Sequence, residues 1–175
     1  KAGKVRYGGV SNFSVEQMKR AQAIHPIASL QPPYSMLKRD IEAEILPFCA
    51  QNNIGVIVYS PMQAGLLSGR FSQARTAALP ADDWRKNSPD FQEPQLSATL
   101  EMVEKMRPMA QKHGQPVANL AIAWTLRRPE VTAAIVGARK PEQIRETAAA
   151  GEIALSAEEA AELERLIRER DARAG

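Results

Sequence analysis

Short apolar runs alternate with stretches in which apolar residues return every third or fourth position, and this alternation continues along the whole chain. The first pattern is that of strands and the second that of amphipathic helices. Val5–Asn12, with β-branched residues and glycines, predicts a strand running into a loop. Ser14 opens a helix, with Gln17 as the second half of a capping box and Val15, Met18 and Ala21 on its apolar face. His25-Pro26 ends it. Ile27–Gln31 predicts a second strand, stopped by Pro32-Pro33 because proline cannot donate to a ladder. Asp40 is the expected N-cap of a helix over Ile41–Asn52, with Pro47 marking a kink or an early boundary. Ile54–Tyr59 is apolar throughout, as in a parallel strand buried on both faces.

Residues 60–96 show no strong period, and so long a loop in a compact domain tends to be functional. Ser97–His113 and Pro116–Arg127 predict two helices, the first ended by Gly114 and the second opened by Pro116. Val131–Val136 predicts a fourth strand, and Pro141 begins a helix reaching about Ala150. Ser156 and Glu159 form a capping box for a last helix, with Leu163, Leu166 and Ile167 facing inward. Strands separated by helices imply parallel βαβ units. A doubly wound sheet and a (β/α)8 barrel both fit that grammar. Four such units are half of a barrel, whose full size is roughly 250 residues.

Composition narrows the function classes. The chain has 175 residues, 44% hydrophobic and 25% charged, with a net charge of +3, which suits a folded domain and not a disordered one. No apolar run approaches the roughly 20 residues that a bilayer requires. Cys49 is the only cysteine, so no disulfide framework is possible, and with no signal-like N-terminal segment the chain is expected in the reducing cytoplasm. Residues 1–87 carry 11 Lys and Arg against 6 Asp and Glu, while residues 88–175 carry 12 against 14. That split, without a basic stripe, gives no reason to expect a nucleic-acid face. The chain begins at Lys1, and Lys1–Lys4 reads like the middle of a longer polypeptide.

In either fold the chemistry collects beyond the C-terminal ends of the strands. All four ends carry informative residues: Ser11-Asn12-Phe13, Gln31-Pro32-Pro33-Tyr34, Tyr59-Ser60-Pro61 followed by Gly65-Leu66-Leu67-Ser68-Gly69-Arg70, and Gly137-Ala138-Arg139-Lys140 before a helix. Ser11, Asn12 and Gln31 are neutral groups able to hold an amide, and Tyr59 offers a flat aromatic surface. Arg139 is a forked cation beside a helix N-terminus whose unpaired N–H groups favour an anion. A nucleotide laid across these ends would have an amide ring near Asn12, Gln31 and Tyr59 and phosphates near Arg70 and Arg139. No G-x-G-x-x-G, P-loop or G-x-S-x-G motif is present. His25 and His113 lack metal-ligand spacing to Cys49, and Asp82-Asp83 and Glu42/Glu44 read as surface acids. Trp84 and Phe91 read as anchors of the long loop, an apolar lid being the alternative.

These residues resemble the aldo-keto reductase family, NADPH-dependent (β/α)8 enzymes. The matching segments are Gly9-Val10-Ser11-Asn12-Phe13, Gln31-Pro32-Pro33-Tyr34-Ser35, Tyr59-Ser60-Pro61-Met62 with Gly65-Leu66-Leu67-Ser68-Gly69, and Ile135-Val136-Gly137-Ala138-Arg139-Lys140-Pro141-Glu142-Gln143. The pattern is more similar to the bacterial and potassium-channel-β-like branches than to the aldose reductase branch. The resemblance implies that residues 1–175 are the C-terminal half of one barrel, units 5–8, with no second domain. It implies that Ser11, Asn12 and Gln31 hold the nicotinamide carboxamide of NADP(H) and that Tyr59 stacks on the ring. It implies that Ser60, Met62, Leu66 and Arg70 line the pyrophosphate path. It places Gly137, Arg139, Gln143 and Glu146 at the adenosine end, with Arg139 near the 2′-phosphate. Thr147 stands where many members have Asn, and Gly137 where the aldose reductase branch has Lys. No residue here matches the family's catalytic Asp, Tyr, Lys and His, so a small-molecule carbonyl would be reduced only with the missing N-terminal half, and this chain alone is expected to be inactive. A non-catalytic nucleotide-binding module, similar to channel β subunits, and an unrelated barrel taking a phosphorylated substrate are the alternatives.

Overall fold

Four strands lie side by side and parallel among the described residues: β1 (Gly9–Ser11), β2 (Ser29–Gln31), β3 (Gly55–Tyr59) and β4 (Val131–Ile135). Their spatial order is their chain order. Each crossover therefore moves one strand in the same direction, and right-handed crossovers then put every helix on one face. A doubly wound sheet would reverse direction at a switch point. Strand order thus selects the barrel over the doubly wound sheet, with this chain supplying half of a (β/α)8 wall. The computed structural model describes residues 3–175, so Lys1, on which the expectation of an upstream segment partly rests, lies outside it.

The first two strands are shorter than the sequence suggests. Only Gly9–Ser11 pairs fully with Ser29–Gln31, and upstream the ladder thins to one bond from the Ala28 N–H to the Gly8 carbonyl (2.8 Å). Val5 and Tyr7 are exposed. The expectation that β3 is buried on both faces is corrected as well. Val56 and Val58 are fully buried, whereas Gly55, Ile57 and Tyr59 are only partly covered. Helices pack on the first face alone, and the second is the face that would line a closed barrel.

The helices follow local rules. α1 (Val15–Gln22) starts at Ser14, whose hydroxyl accepts from the Gln17 N–H while Gln17 accepts from the Ser14 N–H. Asp40 is not a cap: Asp40–Glu42 forms a separate 3₁₀ turn, and α2 spans only Ile45–Gln51. Pro47 thus falls in the first turn, where a helical N–H has no partner to lose, and causes no kink. α3 (Gln73–Ala77) is a short helix inside the long loop. α4 (Gln95–Lys112) and α5 (Val117–Leu126) follow it, and α5 is buried on nearly every side. α6 (Pro141–Ala148) comes after β4, and α7 (Ala157–Ala174) packs along α4, capped by Ser156 and Glu159 as expected.

The core lies between sheet and helices, around Leu30, Val56, Val58, Leu120, Trp124 and Leu163. Trp124 and Tyr34 meet with ring centroids 5.2 Å apart. A charged cluster surrounds them. The Tyr34 hydroxyl donates to Glu42 Oε1 (2.6 Å), Arg39 joins Glu42 to Glu164, and Arg127 reaches Glu164 (2.8 Å). The guanidinium groups of Arg39 and Arg127 also lie over the Trp124 ring. Glu42 is therefore not the surface acid expected. Burial raises its pKa, but hydrogen bonds from Arg39 and Tyr34 outweigh this and hold it below the usual value.

Candidate functional site

The C-terminal ends of the strands converge on a trough with a cavity of about 640 Å3 between the loop after β3 and the start of α6. That volume suits a small-molecule ligand. Tyr59, Ser60 and Met62 form one wall, and Gly137, Arg139 and Gln143 the other. The trough continues past Ser68, Arg70, Glu146 and Thr147. Eight of the residues singled out from the sequence thus lie together: Tyr59, Ser60, Met62, Arg70, Gly137, Arg139, Gln143 and Glu146.

Ser11, Asn12 and Gln31 sit at the adjoining strand ends. The Ser11 hydroxyl donates to the Gln31 carbonyl (2.9 Å), and the Asn12 N–H donates to the same carbonyl (3.1 Å). The Tyr59 hydroxyl donates to Asn12 Oδ1 (3.2 Å), which links these ends to the trough. Asn12 (φ 58°) and Ser60 (φ 57°) both take the left-handed backbone region, as do Gln63 and Ala64 just beyond. Each such residue stores strain of roughly 1–3 kcal/mol, which clusters at binding sites.

Leu66 requires a correction. Its side chain is fully buried with Phe71, Leu79, Phe91 and Leu96 in a second core beneath the loop, so it supports the turn and does not line the trough. That same core settles the roles of the loop aromatics. Phe91 is an anchor, packed edge-on against Phe71 at 5.3 Å, while Trp84 is largely exposed. Gly69 turns the chain at φ 72°, and a Cβ there would stand 3.2 Å from Val117 Cβ. Gln63 ties the loop together by accepting from Ser35 Oγ (3.1 Å) and donating to Asp90 (2.6 Å).

The start of α6 also differs from expectation. Gln143 Oε1 accepts from the Arg139 N–H (2.7 Å) and the Lys140 N–H (3.1 Å), so those donors are already engaged. The helix is held from below by Asn119, whose Nδ2 donates to the Glu146 carbonyl (2.7 Å). The formal positive charge of the trough comes from side chains. Arg70 pairs with Glu146 at 2.6 and 2.9 Å. Arg139 has no carboxylate within ion-pair distance among the described residues. Two further lining cations, Arg75 and Arg85, escaped the sequence reading because they lie in the aperiodic loop. Their signal was only the basic excess of the first half of the chain.

Neither Tyr34 nor Cys49 offers an acid or base to the trough. Tyr34 is fully buried, and burial together with its hydrogen bond to Glu42 raises its pKa. Burial pushes the Cys49 thiol up to about 11, so it is inert. Tyr59 spends its proton on Asn12.

The model of the aldo/keto reductase family matches residues 1–168. The chain belongs to the aldo/keto reductase family. Among its relatives in this family, aldo-keto reductase YhdN of Bacillus subtilis (strain 168) is 38% identical over 144 residues, covering 82% of this chain and 43% of that protein. Probable aldo-keto reductase 1 of Glycine max is 34% identical over 161 residues, 92% of this chain and 46% of that one. The structure of glycerol dehydrogenase AKR11B4 from Gluconobacter oxydans superposes with a TM-score of 0.89 at 35% identity, over 96% of this chain and 50% of that one. The thermostable aldo-keto reductase Tm1743, solved with the inhibitor epalrestat, gives a TM-score of 0.65 at 30% identity over 92% of this chain and 48% of that one. This chain thus spans about half the length of these family members. No helix among the described residues is long and apolar enough to cross a membrane.

Proposed function

We propose that this chain supplies most of the NADP(H) site of an enzyme that reduces aldehydes or ketones to alcohols. The observation that carries the reading is the composition of the trough. It combines an aromatic face (Tyr59), the neutral amide of Asn12 bonded to it, and Arg75 and Arg139, which have no carboxylate partner among the described residues. Neutral hydrogen-bonding groups suit a carboxamide, an aromatic face suits a planar ring, and guanidinium groups suit phosphates. The residues present therefore fit a nicotinamide dinucleotide.

Each residue's part follows from its place. Ser11 and Gln31 brace the strand ends, and Asn12, turned out by its left-handed backbone, orients the carboxamide. Tyr59, steadied by its bond to Asn12, shields one face of the nicotinamide ring and leaves the other to the substrate. Ser60, Met62 and Arg70 follow the diphosphate, with the backbone of the Leu66 turn beneath them. Gly137, Arg139, Gln143 and Glu146 bound the adenosine end. When bound, NADPH supplies a hydride from C4 of its ring to the carbonyl carbon.

The proton for the carbonyl oxygen comes from a Tyr outside these 175 residues. The chain alone should show no turnover, and NADPH oxidation by it with an aldehyde present would refute this. The substrate is a small-molecule carbonyl, the setting is the cytoplasm, and neither nucleic acid nor membrane is a partner. Titration with NADPH, followed by Trp fluorescence, tests the site directly. Trp84 is exposed on the loop that carries Arg85, so saturable quenching is expected. A flat titration with both NADPH and NADH would reject the reading.

A further inference from the structure

Asn119 lies outside every segment on which the family resemblance rests. It sits in α5, a helix that is apolar apart from Asn119 and Thr125. Thr125 is satisfied locally, its hydroxyl donating to the Ile122 carbonyl (2.7 Å). Asn119 reaches further. It is fully buried, and a buried amide is costly unless its groups are bonded. Its Nδ2 donates to Gln115 Oε1 (2.7 Å), one turn back, and to the Glu146 carbonyl of α6 (2.7 Å). A carbonyl only accepts, so the amide is oriented with its nitrogen toward α6.

α6 has little else to hold it. None of its side chains is buried, and Ile144 is half-exposed, so apolar packing does little to seat the helix. Before its start, a Cβ on Gly137 would meet nothing within 4 Å, so the link from β4 is unsupported there. After its end, Ala150 is buried in the following 3₁₀ turn. The Arg70–Glu146 pair is exposed, and such pairs hold little. Glu146 lies in the last turn of α6, where carbonyls run out of intrahelical donors, and Asn119 supplies one. Among the described residues, Asn119 is the one fully buried polar side chain bonded to α6. One turn earlier on the same helix, Gln143 holds the Arg139 and Lys140 N–H groups. The helix thus joins the Asn119 bond to the wall residues Arg139 and Gln143.

We propose that Asn119 is a positioning residue: from within the core it seats α6, and through α6 it sets where Arg139, Gln143 and Glu146 stand along the trough. It lies behind that wall and lines neither part of the trough itself. This rests on the dinucleotide reading above, in which the wall bounds the adenosine end. The donor is what matters. A side chain of the same branched shape without Nδ2 leaves the Glu146 carbonyl short of its partner and lets the wall shift.

The test measures dissociation constants of NADPH and of adenosine 2′,5′-bisphosphate, the part of the cofactor that meets this wall. The unsubstituted protein is compared with Asn119→Leu, which keeps the branched shape and removes both donors, well below each melting temperature. Both ligands should weaken by about the same factor, roughly fivefold for a residue that acts through others. With Arg139 already Ala, the added loss should shrink, because the two changes act on one wall. Asn119→Ser, which cannot overpack the core, should behave alike and replaces Asn119→Leu if that variant does not fold. A lowered melting temperature with unaltered NADPH affinity would make Asn119 merely structural and overturn the proposal. So would NADPH loss with bisphosphate binding intact, a fully additive loss with Arg139→Ala, or failure of both variants to fold. Each of these leaves the dinucleotide reading standing. Absence of NADPH binding by the unsubstituted protein would end both.

Discussion

Two arginine clusters in this molecule use the same chemical group for opposite ends. Around Trp124, Arg39 and Arg127 are matched by Glu42 and Glu164, and Arg127 also donates to the Tyr34 hydroxyl. In the trough, Arg75 and Arg139 have no carboxylate partner among the described residues, and the cluster opens toward solvent between two loops. Charge that is compensated from within holds a fold together. Charge left over on preorganised side chains marks where a ligand completes the balance. The contrast predicts that substitutions in the first cluster alter stability and those in the second alter binding.

The sharpest break in the scaffold should come from Trp124→Ala. The ring is fully buried between two guanidinium groups and Tyr34, and its loss should cost about 3–5 kcal/mol, read from urea unfolding. Near-native stability would show that the cluster carries little. Glu42→Ala leaves Arg39, Arg127 and the Tyr34 hydroxyl short of an acceptor. Its partial exposure reduces the penalty of a buried broken pair to about 2–3 kcal/mol. The unfolding midpoint should fall while NADPH affinity holds.

Trough substitutions should show the reverse. Arg139→Ala is expected to weaken NADPH about tenfold, or ~1.4 kcal/mol, and to leave stability within about 0.5 kcal/mol. A smaller effect concerns acid. Glu159 is held down to about 2, first by the Lys112 hydrogen bond and then by the Ser156 N–H, with His113 also bonded. Its folded value lies below the ordinary 4.5, so its stabilisation is complete above that pH and is lost as pH falls toward 2. Glu159→Gln should flatten the stability profile across that window and change nothing at the trough. An unchanged profile would mean that the pairing contributes nothing.

The sequence revealed most where local rules act alone. The capping boxes at Ser14 and Ser156 and the stop at Gly114 needed no tertiary information. Strand lengths were misjudged because a strand ends where its partner does, which composition does not encode. Glu42 looked solvated because only the fold holds Tyr34 and Arg39 against it and brings Arg127 to within 3.9 Å. The 60–96 loop looked formless because Leu66, Phe71, Leu79, Phe91 and Leu96 fall at no fixed period yet meet in space. Arg75 and Arg85 were hidden by the same loop. The strand-end motifs, by contrast, announced Tyr59, Ser60 and Arg139 by position, and the trough forms there.

The most direct test crosses the two clusters with two readouts. NADPH affinity and urea unfolding would both be measured on Arg139→Ala and Glu42→Ala. A binding loss with intact stability in the first and a stability loss with intact binding in the second is the expected result. NADPH binding that is indifferent to Arg139→Ala, or lost in a still-folded Glu42→Ala protein, would contradict the assignment of the trough as the cofactor site.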